Sequence, residues 1–471
     1  MRRLKWLFIA LMTGCSSQFR SDAPPDIPWA SSPDSIRKYV QVLTSPALGG
    51  RESGSPFEKI TLDTLHGLMT PFINDSNITM QPFRVQELTT NTDSTLITIG
   101  DHSLLFGTDY YLFNPPGPMV VDQQGPLRFF AEPTGEAINL PMVIMPVTES
   151  GDWFRSYHSM LGKSVSVNPE VVFLLQSPDE IHDWPENLSW FTMNPASFSG
   201  TDFVEDPFPA VVLSKLVSEK LGKAFIRQPD TSFTAAVQIR IRQNEKEYAN
   251  LVVQLPGQDP DPKTIVIGAH LDHLGSRPGG VYYPGADDNA SGVAALIESI
   301  RQIRQSGWKH RHNLVFVFFG GEEKGLMGAI HFAADPTPVL PSLSQVVAMI
   351  NADMVGREHP DSIEVVGHDR LKADFQKQVE SLNGKLALHH SYRMNSDRSS
   401  ADVYYRSDHY PFAEKGIPVV FITDGMGENQ FRYSPANDYH RSDDTADLLD
   451  YEKISRVSNW ILTLVGRLDQ N

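Results

Sequence analysis

Cysteine is almost absent from this chain of 471 residues: there is one, Cys15. An intramolecular disulfide is therefore excluded, and so are cysteine-rich zinc sites and iron–sulfur clusters. Any bound metal must rest on His, Asp and Glu. Positive charge is also scarce. Lys and Arg number 40 against 57 Asp and Glu, a formal charge of −17, so nucleic acid is not an expected partner. No GxxxxGK(S/T) phosphate loop and no HExxH single-zinc motif occurs. No apolar run approaches the roughly 20 residues that cross a bilayer. What is present is a globular composition, 40% hydrophobic and 21% charged. The length allows two or three domains, or one large domain with an insertion.

The N-terminus reads as an address. Residues 1–5 carry Arg2, Arg3 and Lys5, residues 6–12 are apolar, and small residues follow. That order is a secretory signal. Leu11-Met12-Thr13-Gly14-Cys15 resembles the lipobox of bacterial lipoproteins. The resemblance implies a signal peptide over 1–14, lipidation of Cys15 and a tether over 15–33. It also implies membrane lipid as a partner and a place in the bacterial cell envelope, periplasm-facing or surface-exposed. A plain secretory signal with an incidental cysteine is the alternative.

Periodicity then divides the chain. Over 34–75, Ile36, Val40 and Leu43 share one helical face, as do Thr61, Leu65, Leu68, Met69 and Phe72. Between them lies a glycine-rich turn, Gly49-Gly50-Arg51-Glu52-Ser53-Gly54. Over 76–245 come short strand-like runs with many prolines, such as 140–147, Val171–Leu175 and 237–241. Nothing there gathers His, Asp and Glu at ligand spacing. Over 246–471 strands alternate with helices. The strands are 264–269, 314–319, Val346–Ala352, 363–366 and Val419–Thr423. Amphipathic helices run through Val293, Leu296, Ile297, Ile300 and Ile303, and through Ile454, Val457, Ile461, Leu464 and Leu468. The pattern predicts an α/β fold: a mixed, mostly parallel sheet flanked by helices, with an inserted β-rich domain. In such folds the site lies beyond the carboxyl ends of the strands.

Acidic residues and histidines fall at those ends. The first strand runs into His270-Leu271-Asp272-His273, and a loop with Asp287-Asp288-Asn289 opens a helix. The second strand ends in Gly320-Gly321-Glu322-Glu323, the third in Asn351-Ala352-Asp353. Ser407-Asp408-His409 and Tyr439-His440 follow near the C-terminus. Carboxylates crowded together repel and drive their pKa values up unless a cation sits among them. Histidine with carboxylate oxygen suits zinc, or manganese or cobalt.

On these five motifs, in this order, the region from about 248 to 470 resembles the M28 family of dinuclear zinc peptidases. The resemblance implies a zinc-exopeptidase (phosphorylase/hydrolase-like) fold and two zinc ions per chain, with cobalt or manganese as alternatives. It implies His270, Glu323, Asp353 and His440 as metal ligands, Asp287 as the carboxylate bridging both metals, and Glu322 as general base. Asp272 would accept the other ring N–H of His270, and Asp288 would follow the bridge across a peptide that is often cis in the family. Tyr404 would support the oxyanion. The implied reaction is aminopeptidase hydrolysis of peptide substrates. Alternatives are a glutaminyl-cyclase-like transferase with one zinc, a glutamate-carboxypeptidase-like enzyme using Arg357, Arg393 or Arg398, and a catalytically inactive binding lipoprotein. The 76–245 insert resembles a protease-associated domain, expected to cover the site and limit substrate size.

Overall fold

A computed structural model describes residues 29–113, 115, 117–129, 141–146, 170–175, 196–197, 210–227, 232–277, 281–357, 359–396, 403–424 and 439–470. Cys15 and Arg398 lie outside the described residues. The centre of the fold is set by strands that are apolar on both sides. Every residue of Thr264–His270 is buried, as is every residue of Asn313–Phe319 after the first. Strands of that kind belong inside a sheet covered on both faces. Thr264–His270 accordingly lies between Asn313–Phe319 and Val346–Ala352, parallel to both. Val346–Ala352 pairs in parallel with Val419–Thr423. Ser362–Val366 joins antiparallel and carries His389–Ser391. The sheet is mixed and mostly parallel, as the alternation of strands and helices predicts.

Helices cover it. Ile36, Leu65, Ile297 and Trp460 bring the helices Pro33–Leu43, Pro56–Met69, Gly292–Ser306 and Tyr451–Leu468 into one apolar cluster. Phe332 and Phe412, with rings 5.8 Å apart, bring Met327–Ala334 and Tyr410–Glu414 into another. Burying each such side chain contributes on the order of 1.5–3 kcal/mol. The helix starts follow local rules. Ser32 accepts from the Ser35 N–H ahead of Pro33 at the first helical position, and the Asp450 carboxylate accepts from Lys453 N–H.

The strand-rich stretch builds a core of its own. Met119–Phe129, Met142–Pro146, Val171–Leu175 and Ala210–Leu213 line up as parallel neighbours around Leu127, Ile144, Phe173 and Val211, with the helix Lys215–Arg227 beside them. Ser232–Leu255 joins the two cores. Residues 232–241 pair with Met119–Phe129, and residues 251–255 pair with Asn313–Phe319. Ile78–Thr90 runs antiparallel along it from Val253 to Ile241. The division drawn at 245 therefore falls within one continuous strand. The glycine-rich turn packs against the C-terminal half. Gly50 has φ +75°, and a Cβ there would sit 2.3 Å from the Gly275 carbonyl oxygen. Only glycine allows that approach.

Candidate metal centre

Strand register decides which residues meet. His270 is level with Phe319, and Gly268 with Asn351. His270, the turn after Phe319 and Asp353 therefore leave the sheet at the same end. The loop before Gly292–Ser306 is tied to that end by Asn289. Its Nδ2 donates to Ala352 O at 3.0 Å, and its Oδ1 accepts from Gly292 N at 3.0 Å and Met354 N at 3.3 Å. Arg51, fully buried with φ +57°, braces the same loop from below. Its guanidinium donates to the carbonyls of Leu43, Leu271, Pro284 and Gly285 at 2.6–2.9 Å.

The result is a buried cluster of imidazoles and carboxylates with Asp288 at its middle. His270 Nε2 lies 3.3 Å from Asp288 Oδ1 and 3.1 Å from Asp353 Oδ1. His440 Nε2 lies 3.2 Å from Asp288 Oδ2 and 3.0 Å from Glu323 Oε2. His273 Nδ1 lies 2.7 Å from Glu323 Oε1. Glu322 joins the same neighbourhood, with His270 and Glu323 offering atoms within 4.8 Å of one another and of it. Five of the expected residues thus come together: His270, Glu322, Glu323, Asp353 and His440.

Asp287 does not join them. Its Oδ1 accepts from Gly356 N at 2.7 Å, facing the backbone after Asp353. The central carboxylate is Asp288, one residue on, and the cis peptide follows that residue, between Asp288 and Asn289. The loop conformation dictates this. Asp444 accepts from the N–H groups of both Asp287 and Asp288 at 2.9 and 3.1 Å, and Arg357 bonds Asp444 in turn. The doublet is thereby oriented with its second member inward. Asp272 also differs from expectation. His270 Nδ1 donates to the Asp272 carbonyl oxygen at 3.1 Å, while the carboxylate stands 4.0 Å away and accepts from Glu322 N at 3.1 Å. The backbone fixes the tautomer that leaves Nε2 facing the carboxylates. Tyr404 is buried outside the cleft, with the Arg370 guanidinium 3.6 Å over its ring. The tyrosine that lines the cleft is Tyr439, stacked on His440 at 3.9 Å. Its adjacency to His440 was the available signal. His409 is stacked 4.6 Å from Phe421, and burial holds it down at about 3.

Electrostatics follow from crowding. Burial raises Asp288, but the His270 and His440 rings outweigh it and hold its carboxyl well below the usual range. Burial also opposes ionisation of Glu323, yet the facing His440 brings it down to about 2. Burial and then the neighbouring Glu323 push Glu322 well above the ordinary value, against the pull of His270. Burial works against a charged His440, but Glu323 and Asp288 lift it to about 9. Rings and carboxylates aimed at one another in a buried place need either imidazolium protons or a divalent cation to balance them. Asp288 Oδ2 and His273 Nε2 are buried without a hydrogen bond. Imidazole nitrogens plus carboxylate oxygens, with a ring N–H anchored on a carbonyl, fit zinc. The lining of the cleft above includes Met354, Met394, Val403 and Phe421.

A mixed α/β sheet with this cluster at its strand ends defines the class of metallo-exopeptidases. The chain belongs to peptidase family M28, whose model matches residues 250–465. It is 30% identical to the Escherichia coli protein YfbL over 242 residues, which cover 46% of this chain and 70% of that one. It is 26% identical to leucine aminopeptidase 1 of Ajellomyces capsulatus, and the match spans 50% of this chain and 60% of the relative. A probable leucine aminopeptidase of Arthroderma otae is 28% identical, with 42% and 52% covered. The chain thus spans little more than half the length of these two fungal relatives. Among solved structures, a zinc aminopeptidase from Bacillus subtilis superposes with a TM-score of 0.67 at 18% identity, covering 93% of this chain and 96% of that one. At that identity the likeness establishes the fold.

Proposed function

We propose that the protein is a zinc-dependent aminopeptidase that removes N-terminal residues from peptides, using two cations and Glu322 as base. The observation that carries this reading is Asp288 standing between two His–carboxylate pairs with Glu322 alongside. His270 and Asp353 would hold one cation, His440 and Glu323 the other, and Asp288 would offer an oxygen to each. Zinc bound there supplies Lewis-acid polarisation of the scissile carbonyl and a water acidified toward neutral pH. Glu322 would take a proton from the water that attacks the carbonyl carbon. It then gives the proton to the departing amine as the C–N bond breaks. Burial keeps the Tyr439 hydroxyl protonated, so it can donate to the carbonyl oxygen as charge collects there. Arg406 Nη2 donates to that hydroxyl at 3.3 Å and aims it. Ser407 Oγ donates to Asp353 Oδ2 at 2.7 Å and accepts from Asn351 Nδ2 at 2.8 Å, holding the carboxylate in place.

The apolar side chains in the lining favour an apolar side chain on the N-terminal residue that is released. The names of the fungal relatives point the same way. A full ligand set speaks against a transferase with one zinc and against an inactive binding protein. The lipobox at Cys15 supports attachment to a bacterial membrane surface, with peptides reaching the cleft from outside the cytoplasm. The 76–245 insert would limit substrate size. The test is hydrolysis of leucyl and glutamyl p-nitroanilides before and after chelation. Leucyl substrate should be cleaved at least about tenfold faster, as one well-filled apolar pocket allows. Chelation should abolish turnover, and zinc should restore it. Turnover that persists in a metal-free protein would refute the reading.

A further inference from the structure

The turn that carries Glu322 and Glu323 is gripped from outside the cleft. Lys324, the next residue, has a side chain only 3% exposed. Its ammonium donates to Ser53 O at 2.9 Å and to Glu87 Oε2 at 3.0 Å, and lies 3.3 Å from Glu52 Oε1. The Tyr248 hydroxyl donates to the same Glu87 oxygen at 2.7 Å. Gly321 N donates to Ser53 Oγ at 2.9 Å. The turn itself is closed by Gly325 N and Leu326 N, both donating to Glu322 O at 2.9 Å.

These partners come from three separate pieces of chain. Glu52 and Ser53 belong to the glycine-rich turn, Glu87 to Ile78–Thr90, and Tyr248 to Ser232–Leu255. A buried ammonium needs compensating oxygens, and here two carboxylates and a carbonyl leave it one place to sit. Its backbone follows directly from Glu323 on a tight turn. Fixing Nζ therefore limits how far that turn can rotate, and with it where the Glu322 carboxylate points.

We propose that Lys324, held by Glu87 and Glu52, is a positioning residue for the Glu322–Glu323 turn. The strand that leads into the inserted region then sets the aim of the base. The proposal rests on the reading of Glu322 as base. Its test is kcat and KM on leucyl p-nitroanilide with zinc-loaded protein, for Lys324→Met, Glu87→Gln, the double variant and Lys324→Arg.

Lys324→Met should lower kcat by about 10–100-fold, the scale of an ångström's misplacement. KM should change less than about threefold, with bound zinc unaltered. Glu87→Gln should lower kcat by a smaller factor. The double variant should be no worse than Lys324→Met alone, because both act through one contact. Lys324→Arg, which keeps the charge, should recover part of the loss. Parental kcat in Lys324→Met, or losses that multiply in the double variant, would overturn the proposal. Should Lys324→Met fail to fold, Glu87→Gln decides. The amide fills the same space but withdraws the charge that holds the Lys324 ammonium, so parental kcat there overturns it too. Glu322→Gln is run alongside. Undiminished turnover in that variant removes the base reading itself, whatever the Lys324 series shows.

Discussion

Replacing Glu322 by Gln should lower kcat by about 10²–10⁴-fold, the usual contribution of a positioned general base, while fold and bound zinc stay as they are. Glu322 is surrounded by charge but is not among the oxygens paired with imidazole nitrogens. His270 faces Asp288 and Asp353, and His440 faces Asp288 and Glu323. An amide of the same shape keeps the Glu322 N–H bond to Asp272 and removes only the ability to take a proton. Glu323→Gln should behave differently, because Glu323 meets both His440 and His273. There the zinc content should fall together with kcat. The measurement is steady-state kinetics paired with metal analysis of each purified variant. Loss of zinc in Glu322→Gln, with retention in Glu323→Gln, would exchange the two roles.

Asp288→Asn should lose most of its bound metal and about 10³-fold or more in activity, whereas Asp287→Asn should keep its metal. The two residues are adjacent and both buried, yet their surroundings are opposite. Asp288 faces two imidazoles that hold it ionised. Burial pushes Asp287 up to about 7, with Arg357 opposing and Asp444 adding to the rise. Its contact is a backbone N–H, which an amide oxygen accepts equally well. Losing its charge should therefore cost little. Removing the Asp288 charge leaves His270 and His440 without the carboxylate whose two oxygens they face. Metal content of the two variants, read against the parent, checks the assignment. Metal lost from Asp287→Asn and kept in Asp288→Asn would return the bridge to Asp287.

That contrast also marks how far the sequence could be read. The strands were legible because each is an apolar run buried on both faces, and the strand ends pointed to His270, Glu322, Glu323 and Asp353 without any knowledge of pairing. His440 was legible through its motif. Which of two neighbouring aspartates turns inward was not, because that is settled by Asp444, more than 150 residues away. Tyr404 was favoured by the family resemblance. The structure instead brings Tyr439 to the cleft, for which its adjacency to His440 in sequence was the one signal. The role of Asp272 was half legible: the residue is beside His270 as expected, but its carbonyl does the holding. The strand Ser232–Leu255 was legible only over 237–241, because its middle, Arg242-Gln243-Asn244-Glu245-Lys246-Glu247, is charged and polar. It is nevertheless held as strand by the antiparallel partner Ile78–Thr90. The Lys324 cluster was hidden for a similar reason, since its partners lie more than 230 residues upstream.

The most direct test of the central claim is one peptide presented in two forms to the zinc-loaded protein, with a free and with an acetylated N-terminus. Products are followed by mass over time. The account predicts stepwise release of single residues from the free N-terminus and no cleavage of the acetylated form. Equal cleavage of both, or release from the C-terminus, would contradict it.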